Sequence, residues 1–157
     1  MTIYMKYGGL KGAVTTEGFK DWIELSSFSW SANRAIHSAA GHTHSREHSA
    51  PSLSEVTVKK KTDLSSPKLF LESVAGKLDN KVTLKFTTTV KGKTETFLTY
   101  DLTGCGLGGY SVTSEGEMPN ESLRLNYTTI TKTLSDPATA GAPREAVGYD
   151  LTQLKTT

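Results

Sequence analysis

The sequence predicts a mainly β protein: an antiparallel β domain, barrel or sandwich, with one short α-helix. Three observations predict it. Apolar and polar residues alternate along several segments of strand length, Thr, Ser and Gly are abundant, and helical periodicity with end signals occurs once. The 157 residues fit one domain, expected over 1–157, with a core that needs no disulfide or metal.

TIYMKY (2–7) alternates and stops at Gly8-Gly9. FKDWIELSSFSWSANRAI (19–36) predicts a long strand whose alternation slips near Ser26-Ser27, a bulge signal. Beyond the slip Phe28, Trp30 and Ala32 share one face, and Ser27, Ser29 and Ser31 share the other. LSEVTVKK (53–60) is a further strand, with Lys59-Lys60-Lys61 read as its solvated end.

The period then changes. Ser65-Ser66-Pro67 offers an N-cap and a proline for the first turn, LFLESVA places Phe70 and Val74 at i, i+4, and Gly76 suits a left-handed terminator. A helix over about 67–75 is expected. KVTLKFTTTV (81–90) points Val82, Leu84, Phe86 and Val90 inward and Thr83, Lys85, Thr87 and Thr89 outward. Lys91-Gly92 turns it into KTETFLTYDL as a hairpin. YSVT (110–113) and SLRLNYTTITKTL (122–134) complete the strand set. SDPATAGAP (135–143) reads as loop, with a last short strand in YDLTQL.

The chemistry-bearing patterns yield little. Gly104-Cys-Gly106-Leu-Gly-Gly109 fits G-x-G-x-x-G, but strand and loop follow it where a dinucleotide site needs a helix N-terminus. Glycines at a bulge or a close backbone approach are the reading adopted. Cys105, the lone cysteine, reads as a buried thiol. All four histidines lie in HSAAGHTHSREHS (37–49), among Gly, Ser, Thr and Ala and without the converging ligands of a zinc site. No triad signature, paired carboxylates or cofactor motif appears, so neither an enzyme nor a cofactor or metal is expected. A net charge of +2 argues for neither nucleic acid nor an anionic membrane, and no apolar run suits insertion or a signal peptide.

The order of IELSSFSWS, AGHTHSREHS and LSEVTVKKKTDLSSPKLFLES resembles the Hcp family (haemolysin-coregulated protein) of bacterial type VI secretion systems. The strand after YDL departs from the family's aliphatic habit, being TGCGLGGYS here. The resemblance implies an antiparallel two-sheet β-barrel with one short α-helix and a long extended loop, about 37–52. It implies a structural subunit of the secretion inner tube: homo-hexameric rings that stack, meet the sheath and a VgrG-type spike, and carry effector proteins in the lumen. Made in the cytoplasm, such a subunit is secreted by the apparatus without a signal peptide. The resemblance makes the extended loop a subunit or ring interface, with His42, Thr43, His44, Arg46, Glu47 and His48 as contacts. Parity places Ser27, Ser29 and Ser31 opposite the aromatics, and the resemblance makes that face the lumen wall. A small-ligand-binding β-barrel, or a specialised Hcp-like effector, is the alternative.

Overall fold

The computed structural model describes residues 1–38 and 46–157, with side chains described outside 37–48. The strands are β1 (Thr2–Tyr7), β2 (Ile23–Leu25), β3 (Ser27–Ser29), β4 (Ala32–Asn33), β5 (Ile36–Ser38), β6 (Arg46–His48), β7 (Ser52–Leu53) and β8 (Val56–Lys61). After helix α1 (Ser66–Ala75) come β9 (Asn80–Val90), β10 (Lys93–Thr113), β11 (Asn120–Asn126), β12 (Thr129–Asp136), β13 (Ala142–Asp150) and β14 (Lys155–Thr156). One sheet runs β14-β13-β12-β10-β9-β1-β2, the other β10-β11-β8-β3, and every pairing is antiparallel.

The two sheets share β10. A straight strand of its 21 residues would reach about 70 Å, against a radius of gyration of about 15 Å for a chain this long, so it has to bend. Its first part pairs with β12 through Thr103 and with β9 through Cys105, and from Gly106 to Thr113 it pairs, among the described residues, only with β11. Register slips between Leu102 and Cys105 on the β9 side and between Leu107 and Gly109 on the β11 side. Gly104 takes the left-handed region at φ +57°, where a β-carbon would also collide with the Thr128 side chain. A β-carbon on Gly106 would run into Leu78. The glycine stretch is thus a corner in a strand with a register shift on each side, where its context predicted a bulge or a close backbone approach, and burial pushes the Cys105 thiol up to about 12.

Met5, Ile23, Val56, Val58, Leu84, Leu102, Leu123 and Leu125 pack between the sheets, each contributing roughly 1.5–3 kcal/mol of burial. Lys91 and Gly92, both at positive φ, make the predicted tight turn.

Several expectations change. The 19–36 strand is interrupted: residues 19–22 turn, with Asp21 at φ +65°, and pairing lapses at Ser26, whose N–H donates to the Lys59 carbonyl at 2.8 Å. Thr87 is buried, its hydroxyl donating to the Thr2 carbonyl at 3.0 Å, while Val90 is only half-buried. The 135–143 segment is no simple loop: β12 runs to Asp136, a 3-10 turn holds Pro137–Thr139, and β13 begins at Ala142. Of YDLTQL only Tyr149 and Asp150 are strand. Gly76 is extended rather than left-handed, at φ −75° and ψ 162°, and its N–H donates to the Glu72 carbonyl. The helix packs through Leu69 and leaves Phe70, Leu71 and Val74 exposed.

Replacing Gly104 by Ala puts a side chain in the left-handed region and against Thr128. The expected loss is about 2 kcal/mol of unfolding free energy, read by urea titration. An unchanged midpoint would show that the corner does not require glycine.

Candidate functional site

The second sheet turns a hydroxyl-rich face away from the core. Phe28 points inward, its ring 4.8 Å from Tyr100 and edge-on to Phe86 at 5.2 Å. Trp30 also faces in: its Nε1 donates to the Tyr127 hydroxyl at 2.7 Å, which donates to the Ser54 carbonyl at 2.7 Å. The intervening serines therefore face out, Ser27 half-buried and Ser29 and Ser31 exposed. Along the ladder, Ser29 lies opposite Thr57 and Thr57 opposite Arg124. Ser27 lies opposite Lys59, Lys59 opposite Ser122, and Ser122 opposite Ser111. Directly opposed residues share a face, so Thr57, Ser111, Ser122 and two cations join the serines. Sequence reading missed these partners, although the alternation in LSEVTVKK and SLRLN carries their parity.

From this sheet a two-stranded ribbon extends. Ser31 and Ser54 exchange hydrogen bonds at its base, β4 pairs with β7, and β5 with β6. Arg46, Glu47 and His48 sit on the return strand opposite Ser38, His37 and Ile36. His42, Thr43 and His44 lie outside the described residues. Exposed positions run from Ser31 to Ile36, so this part of the ribbon adds nothing to the core.

A buried polar cluster fixes α1 to the same sheet and corrects the reading of the lysine run. Lys59 and Lys61 are exposed, but Lys60 is fully buried, because strand parity turns it inward beneath the helix. Its ammonium bonds to Glu121 Oε2 at 2.6 Å, Asp63 Oδ1 at 2.9 Å and the Ser66 hydroxyl at 3.1 Å. Ser66 donates to Glu121 Oε2 at 2.7 Å, and the Tyr110 hydroxyl to Glu121 Oε1. Ser65 holds the N-cap position, yet its hydroxyl caps nothing; Asp63 instead accepts from the Ser65 N–H at 2.9 Å and hydroxyl at 2.5 Å. Burial alone would raise the Asp63 carboxyl, but hydrogen bonds from Ser65 and Lys60 and the Lys60 charge outweigh it and hold it below the ordinary range. Tyr110 is pushed up to about 12 by burial and by Glu121.

The described residues contain no group of three or more His, Cys, Asp or Glu that could hold a metal. Among them, no helix is long and apolar enough to cross a membrane. What remains is a barrel with a hydroxyl face, a ribbon and a cluster-anchored helix. A family profile described as type VI secretion system effector, Hcp, matches residues 4–133. The chain belongs to the Hcp family. Solved structures share the fold. A structure described as a type six secretion system protein is 24% identical, with a TM-score of 0.87 over 99% of both chains. Hcp1 from Salmonella typhimurium is 19% identical, with a TM-score of 0.75 over 99% of this chain and 98% of that one. A type VI secretion system effector from Yersinia pestis is 17% identical, with a TM-score of 0.74 over 94% and 98%. No curated protein sequence matches the chain. Family membership makes this Hcp chain a type VI secretion protein.

Removing one partner of the buried cluster should be costly. Lys60→Met leaves Glu121 buried without its cation, and a loss of about 3–5 kcal/mol is expected by urea unfolding. The Asp63 carboxyl is lower in the folded state than its unfolded value of about 3.9. Its contribution is therefore full above that pH and is lost as pH falls through the folded value. Asp63→Asn should flatten the stability profile below about pH 4 relative to the native chain. Parallel profiles for the two would remove Asp63 from this role.

Proposed function

We propose that this Hcp chain is the subunit of a type VI inner tube, built of stacked six-membered rings whose lumen holds effector proteins before expulsion. The observation that carries the reading is the second sheet. Among the described residues β3 pairs only with β8, and β10 beyond Cys105 only with β11, so both edges of the sheet are open there. Open edges invite strand addition. The four strands alternate in direction, so β3 of one copy meets β10 of the next antiparallel, and the sheet continues around a closing ring without a parallel junction.

The outer face of that sheet then becomes the lumen wall. Ser27, Ser29, Thr57, Ser111 and Ser122 give it short hydroxyl side chains, with Lys59 and Arg124 among them. Such a face lacks the bulky apolar residues of a permanent dry interface, and suits cargo that is held loosely and released. The ribbon, with Arg46, Glu47 and His48 on its return strand and His42, Thr43 and His44 proposed at its contact region, joins neighbouring subunits or rings. Sheath and VgrG-type spike are the remaining partners. The subunit is made in the cytoplasm and leaves through the apparatus, with no chemistry of its own. Met5, Leu84, Leu102 and Leu123 fill the space between the sheets, and no observation favours a small-ligand barrel.

Native mass photometry should give six times 17.0 kDa. Ser29→Arg should leave that mass unchanged and weaken effector retention by about tenfold, or ~1.4 kcal/mol, in a pull-down titration. A monomer at tens of micromolar would contradict the ring, and full retention by the Ser29→Arg ring would remove the serines from cargo binding.

A further inference from the structure

Helix α1 presents an apolar stripe to solvent beside one open edge of the second sheet. Phe70, Leu71 and Val74, with Leu78 just beyond the helix, are 56%, 58%, 67% and 73% exposed. The Phe70 ring lies 5.9 Å from that of Tyr110, on the part of β10 that pairs, among the described residues, only with β11, and exposed Val112 follows two residues on. The stripe is therefore continuous with the edge. Uncovered, it amounts to on the order of 400 Å² of apolar surface, the size at which a patch marks an interaction site. It is about half of the ~800 Å² a stable interface takes from each partner, so it needs the neighbouring edge to complete a contact.

A matching strip lies on the first sheet, Phe97 and Leu98 of β10 and Leu134 of β12, and packed aromatics connect it to the opposite edge, β3. At β3, Phe28 packs on Phe86, and Phe86 on Phe97 at 6.3 Å. Phe86 and Leu134 both pair with Leu98, and Leu134 is exposed. Charges fit as well. Exposed Lys68 and Lys77 flank the helix stripe, with Asp79 beyond Leu78 as an exception. Exposed Glu145 lies opposite Leu134 and makes no ion pair among the described residues, while the nearby Lys132 is occupied over the Tyr100 ring at 5.8 Å.

We infer that the α1 stripe, Phe70, Leu71 and Val74, docks onto the Phe97–Leu98–Leu134 strip of a second copy of this chain. One copy offers the helix and the next the strip, a head-to-tail contact that repeats around a ring. The inference rests on the ring reading above and adds to it: backbone pairing at the edges sets register, and the helix shoulder supplies the dry part of the interface. The barrel exposes these large side chains because their partner is another molecule.

The test is a cysteine pair. Val74→Cys with Leu134→Cys, oxidised in dilute solution, should give a covalent ladder ending at six on a non-reducing gel, with neither single variant giving more than a dimer. Native Cys105 is buried and does not compete. In parallel, Val74→Asp should convert the ring to monomers at a concentration where the native chain is fully assembled, with far-UV circular dichroism unchanged. A native ring that shows no ladder and tolerates Val74→Asp overturns the docking while leaving the ring intact. A native chain that is monomeric overturns the ring reading itself.

Discussion

The bend in β10 is the constraint on which the rest of the structure depends. One strand belongs to two sheets, and it can turn from one to the other only where Gly104 adopts a left-handed conformation and Gly106 admits the close approach of Leu78. Once the strand has turned, its last third has β11 as its only strand partner among the described residues. The second sheet is thereby separated from the first along that side and keeps an open edge. Its other edge, β3, is also open among the described residues, and the chain continues from it into the ribbon after Trp30. The same bend brings Tyr110 over Glu121 and beside Phe70, so the edge, the buried cluster and the exposed helix face form one shoulder.

Interior and surface divide the work. The core between the sheets and the Lys60–Glu121–Asp63 cluster hold the barrel and seat α1 within the monomer. The hydroxyl face, the described part of the ribbon and the helix stripe add little to that stability. Burying an ion pair is often no more stabilising than an apolar pair of the same volume, but it fixes one geometry. Here the fixed geometry is the angle at which α1 presents Phe70 and Val74.

Much of this was legible in the sequence where a local rule had no competitor. Alternation in residues 81–90 gave Val82, Leu84 and Phe86 as core, and parity at Phe28-Ser29-Trp30 put the serines on the outer side. With no helix after Gly109, the glycines read as a bulge, and register shifts do flank them. Failures arose where non-local contacts decide. Lys60 reads as a solvated lysine because its partners Glu121 and Ser66 are brought to it by β11 and α1. The β13 segment APREAV has no alternation to reveal it, since it is exposed on both faces. At α1 the i, i+4 pattern was present, but it describes a face turned away from its own core. Periodicity reports that a face is apolar, not which molecule covers it.

A cryo-electron microscopy reconstruction of the assembled protein tests the central claim most directly. The account predicts a six-fold ring in which β3 of each subunit lies hydrogen-bonded and antiparallel to β10 of the next, beyond Cys105, with Ser29 facing the central channel. A ring whose subunits meet elsewhere, leaving β3 and the end of β10 in solvent or turning Ser29 to the outside wall, would contradict it.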